Sequence, residues 1–309
     1  MLVLLNPNAG GGTAAERWRR IEPQIRSLVG PYTLVEAANV DEVKGCVREA
    51  LQAGETAFIA AGGDGTVNLV MTSLLENAPR RALERVTLGA VGLGSSNDYH
   101  KPLDPAKQID GVPFKLDFVT TIAHDVCLLT YRDVQQALHT RRWLINASVG
   151  TTAEANRFFN APDATLRWMK RVVPSLAMVY AALRTVFGYR SRPMTITLDE
   201  TQTVYARVKN LGVVKNPHFT GTLKYNSPYE PGSGHFYVHL LKRVSLPRLI
   251  WTLAGLLFGR FSGHRTGSWR ATRLRIEAEQ PFAVEGDGEV VTAIRAYFSV
   301  VPDLLRVCT

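Results

Sequence analysis

Cysteine is scarce in this sequence. Only three cysteines occur among 309 residues, Cys46, Cys127 and Cys308, and none has a partner at the spacing of a metal site or of a CxxC redox motif. An odd number of cysteines also argues against a framework of disulfide bonds. The composition favours a protein of a reducing compartment, and we expect a cytoplasmic location.

Long hydrophobic runs are also missing. The longest apolar stretch, residues 246–258, is interrupted by Pro247, Arg248 and Gly255 and is too short to cross a bilayer. The first five residues are apolar but lead straight into a glycine-rich turn, with neither the basic start nor the cleavage site of a signal peptide. We therefore expect any membrane contact to be peripheral, at the inner face of the membrane.

Acidic residues are fewer than basic ones, 27 against 36, which leaves a formal net charge of +9. Such an excess suits a polyanionic partner, which could be nucleic acid, an anionic membrane or the phosphates of a nucleotide. The basic residues are dispersed and no nucleic-acid-binding motif accompanies them, so we expect no nucleic-acid partner. The oligomeric state is left open, a homodimer included.

The length and the hydrophobic pattern indicate two domains. A chain of 309 residues exceeds the usual size of a single hydrophobic core. In residues 1–115, short apolar runs alternate with helical patterns, which predicts an α/β domain with a doubly wound parallel sheet. The predicted strands are 2–5, 32–36, 57–61 and 86–91, and the predicted helices are 14–29, 40–53 and 67–75.

Residues 116–297 predict a mainly antiparallel β domain with helical insertions. Alternation of apolar and polar residues marks its strands. These strands are 115–119, 125–131, 142–147, 194–198, 203–211 and 235–241. Helical patterns cover residues 164–187 and 246–258. The final stretch, 298–309, could return to either domain, and in one alternative it completes the first.

Three glycine-rich turns follow predicted strands of the first domain, at 6–12, 62–68 and 92–98. The backbone N–H groups of such a turn can point at an anion when a helix follows, and the helix dipole favours negative charge there. Glycine turns also occur as plain strand–helix connections, so a single one carries little weight. Three of them at strand ends favour one phosphate site at the carboxyl edge of the sheet.

The second turn contains an acidic residue, Asp64, and no Walker lysine. A carboxylate among phosphate-binding amides would repel a nucleotide unless it orients a Mg²⁺-bound phosphate or a hydroxyl substrate. We therefore expect Asp64 to be catalytic as well as part of the phosphate site. No side chains are assigned to a metal site of the protein's own.

The order of three motifs resembles a known family. Asn-Pro-x-Ala-Gly at 6–10, Gly-Gly-Asp-Gly-Thr at 62–66 and Gly-Ser-x-Asn-Asp at 94–98 resemble the catalytic domain of diacylglycerol and sphingosine kinases. The fold of that domain is also similar to those of NAD kinases and 6-phosphofructokinases. Two further stretches, 145–150 and Asp-Gly-Glu at 287–289, are similar to the same family. The resemblance therefore extends over nearly the whole chain.

The resemblance implies ATP with Mg²⁺ as the phosphoryl donor and a lipid hydroxyl as the acceptor. It also implies the nucleotide-binding residues, which are Asn6, Gly10, Gly11, Gly62, Gly63, Asp64, Gly65, Thr66, Asn68, Gly94, Ser95, Asn97 and Asp98. Asp287 or Glu289 of the second domain would supply the base that deprotonates the lipid hydroxyl. Asp-Gly is also a strong hairpin signal, and both interpretations can hold together.

The sequence departs from the family pattern in several places. Gly92 and Ser95 stand where the family has proline and threonine, and residues 150–153 lack the acidic residue of its Gly-Phe-Asp-Ala turn. Residues 232–234 are Gly-Ser-Gly, where some bacterial members have an Asp-Asp-Gly that contributes to a structural Mg²⁺ site. Because a hard cation loses its main charged ligands without those carboxylates, we expect no such second metal site.

Two stretches rich in basic and apolar residues, 167–173 and 260–265, are candidates for contact with an anionic membrane that carries the lipid substrate. Helices of this composition also pack internally with a solvated basic face. The sequence thus predicts an ATP-dependent kinase of a diacylglycerol-like lipid or another long-chain alcohol. Two alternatives stay open, a kinase of a soluble acceptor such as NAD and a nucleotide-binding regulatory module without catalysis.

Overall fold

The structure, a computed structural model, describes residues 1–160, 180–181 and 184–309. The chain forms two compact units, one of Met1–Val126 with Pro302–Thr309 and one of Cys127–Val301. The sequence places the domain boundaries at 115 and 298, whereas the compact units change at 126 and 302. The last residues belong to the first unit, which is one of the two alternatives that the sequence leaves open.

The first unit is built on a parallel sheet. Its strands are β1 (Leu2–Leu5), β2 (Thr33–Glu36), β3 (Ala57–Gly62), β4 (Thr87–Gly92), β5 (Gln108–Ile109) and β6 (Val112–Lys115). The strands β2, β1, β3 and β4 are neighbours in that order and run parallel, while β6 pairs antiparallel with β4. The end of the last strand of the chain also joins β4 in parallel, with Arg306 opposite Thr87. The predicted α/β domain is confirmed.

Helices lie between these strands in the chain. They are α1 (Ala9–Gly12), α2 (Ala14–Val29), α3 (Val40–Gln52), α4 (Asp64–Asn77) and α5 (Arg80–Leu83). Helix α2 is amphipathic, and its Trp18, Ile21 and Ile25 are buried in one cluster with side chains of β1 and β3. Helix α3 is capped by Asn39, whose side chain accepts the backbone N–H of Glu42. As a result, each glycine turn follows a strand whose position is set by this core.

The second unit is mainly antiparallel, as predicted. Its strands are β7 (Thr121–Arg132), β8 (Leu138–Trp143), β9 (Asn146–Gly150), β10 (Arg192–Leu198), β11 (Gln202–Val214), β12 (His218–Phe219), β13 (Leu223–Lys224), β14 (Phe236–Lys242), β15 (Thr266–Ala271), β16 (Arg273–Gly286) and β17 (Glu289–Cys308). Strand β7 starts in the first unit and β17 ends there. The main order is β15, β14, β11, β10, β16, β17, and β9 also pairs with both β11 and β16.

The described part of the second unit also contains α6 (Thr151–Asn160) and α7 (Leu246–Leu257). Helix α7 matches the predicted helix at 246–258, and a proline in its first turn suits a position where no N–H partner is needed. Most of the predicted insertion 164–187, with the basic stretch 167–173, lies outside the described residues. No helix of the described residues is long and apolar enough to cross a membrane.

Two predicted strands are wrong. The strand predicted at 115–119 is wrong because β6 ends at Lys115, where the Asp117 carboxylate accepts the backbone N–H groups two and three residues further on in a local turn. The strand predicted at 142–147 splits into β8 and β9. Three consecutive N–H groups at that junction donate to a carboxylate, that of Asp287, instead of to a neighbouring strand.

Candidate active site

The first glycine turn joins β1 to α2 and includes the four residues of α1, whose two central glycines have non-helical dihedral angles. Gly10 and Gly11 have φ of 58° and 73°, a backbone region that glycine adopts without strain. An added Cβ on Gly10 would also lie 2.5 Å from the carbonyl oxygen of Leu93 in the third turn. Asn6 Nδ2 donates to Thr66 Oγ1 of the second turn at 3.2 Å. The first turn is therefore in contact with both of the others.

The second turn is itself the start of a helix. Gly63 precedes α4, which begins at Asp64, three residues earlier than the helix predicted from residue 67. Gly63 and Gly94 of the third turn approach backbone to backbone, because an added Cβ on Gly94 would lie 2.4 Å from the Gly63 Cα. Gly65 is exposed in the first turn of α4. The N–H groups of a first helical turn have no partner within the helix and can serve an anion.

The carboxylate of Asp64 connects the second turn to the third. Its Oδ2 accepts the backbone N–H of Asp98 at 3.1 Å, and its Oδ1 accepts that of Tyr99 at 3.0 Å. Both oxygens thus serve backbone donors, which sets the spacing of the two turns. The expectation that Asp64 orients a Mg²⁺-bound phosphate or a hydroxyl substrate stays a prediction.

The third turn is held by the side-chain amide of Asn97. Its Oδ1 accepts the N–H of Gly94 at 2.9 Å, and its Nδ2 donates to the carbonyl oxygens of Gly92 and Gly94 at 3.0 and 3.1 Å. Asn97 itself has the left-handed conformation, with φ 49° and ψ 42°. Because this amide is used inside the turn, the exposed hydroxyl of Ser95 is the better placed group for contact with a ligand.

Buried ionisable groups follow the third turn. Asp98 and Lys101 form an ion pair at 2.7 Å in which neither side chain is more than 10% exposed. Burial, and to a lesser degree the charge of Lys115, lowers the pKa of His100 to about 3. Burial, with the charge of Lys107, lowers the pKa of Lys115 to about 8. The imidazole of His100 is therefore neutral at physiological pH.

The Asp-Gly-Glu element of the second unit is the turn of a two-residue hairpin between β16 and β17. Gly286 pairs with Glu289 across the turn, and Asp287 and Gly288 have φ of 45° and 89°. Positive φ at both central residues is typical of the type I′ turn, which matches the twist of the flanking strands. The hairpin interpretation of this motif is confirmed.

Asp287 is buried and faces backbone groups. Its carboxylate accepts the N–H groups of Leu144 at 2.6 Å, Ile145 at 3.0 Å and Asn146 at 3.1 Å. Only 8% of the residue is exposed. A base must come within hydrogen-bond reach of the proton that it removes, so this geometry favours a structural role for Asp287.

Glu289 has the opposite surroundings. Its side chain is 65% exposed and forms an ion pair with Arg141 of β8. Burial tends to lower the pKa of the Arg141 guanidinium, but its contacts with Tyr131 and the charge of Glu289 outweigh burial, and the pKa is raised. The ion pair orients an accessible carboxylate beside a hairpin that Asp287 holds in place.

The structural Mg²⁺ site of some bacterial members of the similar family does not fit the residues present here. Residues 232–234 offer no carboxylate. The oxygens of this loop face the ammonium group of Lys215 instead, at 2.8 to 3.2 Å. Within the part of the chain that the structure describes, no three His, Cys, Asp or Glu residues form a group that could hold a metal ion.

Comparison with known proteins assigns the chain to a family. Residues 1–125 match the diacylglycerol kinase catalytic domain. Residues 146–309, more than half of the chain, match the YegS C-terminal NAD kinase β sandwich-like domain. The chain belongs to the diacylglycerol kinase family. The resemblance seen in the motifs, and the two-part fold that it implies, are confirmed.

Relatives of this diacylglycerol kinase family member are distant. A curated relative, "Probable lipid kinase YegS-like" of Enterobacter sp. (strain 638), is 45% identical over 53 residues, which is 17% of this chain and 17% of the relative. A diacylglycerol kinase structure from Bacillus anthracis str. Sterne aligns with a TM-score of 0.65 and 14% identity, covering 99% of this chain and 95% of the other. Structures of two presumed diacylglycerol kinases of that organism align with TM-scores of 0.71 and 0.72 and 16% identity. Each alignment covers 99% of this chain and 96% of the other. These structural likenesses establish the fold.

The structure of this family member brings the predicted nucleotide residues together in three touching turns of the first unit. They are Asn6, Gly10, Gly11, Gly62, Gly63, Asp64, Gly65, Thr66, Gly94, Ser95, Asn97 and Asp98, with Asn68 one turn into α4. Sequence reasoning missed Arg141, and also Arg17, which donates to the Leu93 carbonyl oxygen at 3.2 Å. Arg141 lies 148 residues from its partner Glu289 in a chain rich in arginine, so no local pattern marks it.

Proposed function

We propose that this protein transfers the γ-phosphate of MgATP to a hydroxyl group of a membrane lipid, a diacylglycerol-like molecule or another long-chain alcohol. Membership of the diacylglycerol kinase family supports the kinase activity. The observation that supports a lipid as the acceptor is an exposed apolar face of α7 beside a cationic cavity. The name of the curated relative, a probable lipid kinase, points the same way.

The glycine turns of the first unit would bind the phosphates of ATP. The exposed Gly65 at the start of α4 offers a backbone N–H, and the exposed Ser95 offers a hydroxyl. Mg²⁺ would enter as part of the MgATP substrate and neutralise charge on the phosphates. Asp64 and Asn97 would act by holding the turns at the spacing that the phosphates require.

Glu289 would act as the base. The lipid hydroxyl attacks the γ-phosphorus and its proton passes to the Glu289 carboxylate, while the bond from the γ-phosphorus to the bridging oxygen breaks and ADP leaves. Of the two candidate carboxylates, Glu289 is exposed, whereas both oxygens of Asp287 accept backbone N–H groups. Arg141 would keep the Glu289 carboxylate in one orientation.

Helix α7 supports contact with a membrane. One of its faces is buried in a core cluster that includes Leu249, Leu256 and Phe261. Apolar side chains of the other face, and of the residue that follows the helix, are 45% to 78% exposed, and they are Leu246, Ile250, Trp251, Leu257 and Phe258. Spacings of four and seven residues align them along one side of the helix. An exposed apolar face with aromatic side chains is typical of helices that lie in a membrane interface.

A cationic cavity adjoins the first turn of α7. It has a volume of about 770 Å³, and its lining contains no carboxylate but five cations, Arg207, Lys242, Arg243, Arg248 and Arg265. The ion pairs among the described residues involve none of these five. Cations beside an apolar face complement the anionic headgroups and acyl chains of a bilayer. The proposed partner of this surface is therefore an anionic membrane.

The kinase proposal is tested by incubating the protein with labelled ATP, Mg²⁺, mixed lipids and NAD. Labelled product that extracts into organic solvent is the expected result. Labelled product that stays in the aqueous phase would identify a kinase of a soluble acceptor, and ATP binding without turnover would identify a regulatory module. Either of these outcomes contradicts the lipid kinase.

The membrane proposal is tested separately by co-sedimentation with vesicles of phosphatidylglycerol and of phosphatidylcholine. We expect binding to the anionic vesicles, and we expect the variants Arg243→Glu with Arg248→Glu, and Leu257→Ser, to weaken it. An oligomer that dissociates in Leu257→Ser without any vesicle binding by the unmodified chain would identify a second copy of the chain as the occupant of this face, which contradicts the proposal.

Matched control variants sharpen the vesicle experiment. Arg80→Glu with Arg81→Glu makes the same change of charge on exposed residues of α5. Leu28→Ser of α2 removes a leucine that is 57% exposed, against 55% for Leu257. Vesicle binding should be unchanged in both controls. An equal loss in the arginine control would point to general electrostatic attraction, and an equal loss in Leu28→Ser would show that α7 is not a specific membrane contact.

A further inference from the structure

A buried lysine donates hydrogen bonds to the loop that precedes β14, residues 225–235. Lys215 is only 2% exposed. Its Nζ donates to the carbonyl oxygen of Glu230 at 2.9 Å, to Ser233 Oγ at 3.2 Å and to the carbonyl oxygen of His235 at 2.8 Å. An ammonium group has three N–H donors, and these three oxygens are among their acceptors.

The backbone of Lys215 is held in place by a hydrogen bond to a residue that is remote in the chain. Lys215 directly follows β11, and its backbone N–H donates to the carbonyl oxygen of Ile145 at 2.9 Å. The N–H of Ile145 in turn donates to Asp287 of the hairpin. Burial of an ammonium group without partners costs roughly several kcal/mol. Charge-assisted hydrogen bonds offset that cost. The three loop oxygens are therefore a requirement for placing Lys215 here.

The oxygens around Lys215 suit an ammonium group better than a metal ion. Distances of 2.8 to 3.2 Å are those of N–H···O hydrogen bonds, whereas Mg²⁺ and Ca²⁺ hold oxygen at roughly 2.0 to 2.6 Å. Two of the three acceptors are backbone carbonyls and one is a hydroxyl, so no carboxylate is among them. The carboxylate of Glu230 accepts from the Tyr237 hydroxyl at 2.9 Å instead.

We infer that Lys215 supplies, as a covalent part of the chain, the positive charge that a divalent cation would otherwise bring to this loop. The second unit then folds without a bound metal ion, and any dependence of the protein on Mg²⁺ comes from MgATP alone. This inference does not rest on the proposed kinase activity, since folding and metal binding are measured without a substrate.

The unmodified chain provides the first test. Its thermal midpoint, measured without nucleotide, should be the same in EDTA and in millimolar MgCl₂ or CaCl₂, and elemental analysis of protein dialysed from a Mg²⁺ buffer should find no stoichiometric metal. A midpoint that falls in EDTA, or one equivalent of Mg²⁺ or Ca²⁺ retained per chain, would overturn the inference. This measurement needs no variant to fold.

Variants of Lys215 and Lys209 provide the second test. Lys215→Met should lower the thermal midpoint by roughly 5–10 °C. Lys215→Met with Ser233→Asp restores a carboxylate but not the ammonium group, and millimolar Ca²⁺ or Mg²⁺ should now raise its midpoint by several degrees. The matched control is Lys209→Met, since the Lys209 ammonium is also buried and donates to two backbone carbonyl oxygens at 2.8 and 2.9 Å.

The control and the double variant distinguish a cation site at Lys215 from a core that loses stability whenever a buried lysine is replaced. Lys209→Met should lose stability without any rescue by divalent cations. The inference is overturned if Lys215→Met keeps the original midpoint, if the double variant does not respond to Ca²⁺ or Mg²⁺, or if Lys209→Met is rescued to the same extent.

Discussion

The two units of the molecule present their candidate functional groups in opposite ways. In the first unit the groups that would meet a ligand are backbone N–H groups of glycine turns, and the polar side chains Asp64 and Asn97 hold those turns together. In the second unit the candidate group is a side-chain carboxylate, Glu289, and the neighbouring Asp287 holds the backbone around it.

The difference teaches which property each region must preserve. The turns depend on the absence of side-chain volume, because Gly10 and Gly94 leave no room for a Cβ beside neighbouring backbone. The hairpin depends on charge, because one carboxylate accepts three backbone N–H groups and the other would accept a proton. Added volume should therefore damage the first region, and removed charge the second.

The largest effect is expected for Glu289→Gln. Loss of a general base should lower kcat about 100- to 10,000-fold, with little change in the KM for ATP or in the thermal midpoint, because Glu289 is exposed. The measurement is lipid phosphorylation under saturating MgATP. The matched control Glu279→Gln changes an exposed carboxylate of β16 and should keep full activity. Normal turnover by Glu289→Gln would exclude Glu289 as the base.

Asp287→Asn should act first on stability. The amide keeps only one acceptor oxygen for three N–H donors, two of them buried, and we expect a loss of about 3 kcal/mol in the free energy of unfolding. Urea denaturation of the variant measures this loss. If Asp287→Asn keeps its stability but loses turnover, the assignment of Asp287 to structure and Glu289 to catalysis is reversed.

A pair of glycine substitutions separates packing from ligand contact in the turns. Gly94→Ala should destabilise the first unit by roughly 1–3 kcal/mol and abolish ATP binding, because the new Cβ meets the backbone of Gly63. Gly65→Ala meets no protein atom within 4 Å, so it should keep or raise stability while its Cβ weakens MgATP binding. Calorimetric titration with MgATP and thermal unfolding measure the two properties.

The helix α3 supplies a control for these glycines. Gly45 also has open space around its Cβ position, and Gly45→Ala should change stability as Gly65→Ala does while leaving MgATP binding intact. Equal MgATP affinity in Gly65→Ala and Gly45→Ala would show that no phosphate lies against the start of α4.

The last prediction concerns the pH dependence of stability, to which both units contribute. Burial lowers the pKa of His100 to about 3 and that of His239 to about 4, from an ordinary value of 6.5. The unfolded chain therefore binds more protons below pH 6.5, and the free energy of unfolding should fall as pH drops from 6.5 to 4, by up to about 1.4 kcal/mol per pH unit for each histidine.

Replacement of the two histidines tests this pH dependence. His100→Gln with His239→Gln should flatten the slope of the unfolding free energy between pH 6.5 and 4, whatever the variant's absolute stability. His264→Gln, at an exposed histidine, should leave the slope as it is. A slope that persists in the double variant would assign the acid sensitivity to carboxylates instead.

Elements with a strong internal period could be predicted from the sequence, and those that depend on distant partners could not. Helix α2 matches its predicted span because Trp18, Ile21 and Ile25 repeat at helical spacing. The predicted strand at 142–147 breaks because a carboxylate from Asp287, more than 140 residues away in the chain, accepts its N–H groups. The start of α4 was predicted too late, since a glycine turn and a helix N-terminus look alike in sequence.

The sequence by itself determined the order of the glycine turns, the parallel and antiparallel character of the two units and the family, because these follow from local hydrophobic period and from motif order. Only the tertiary structure distinguished the acidic residues that hold backbone groups from the one that is exposed. Asp64, Asp287 and Glu289 are all carboxylates in or directly beside turns, and what distinguishes them is which N–H groups and which guanidinium surround them. Those neighbours come from residues remote in the chain, and so does the loop whose oxygens surround Lys215.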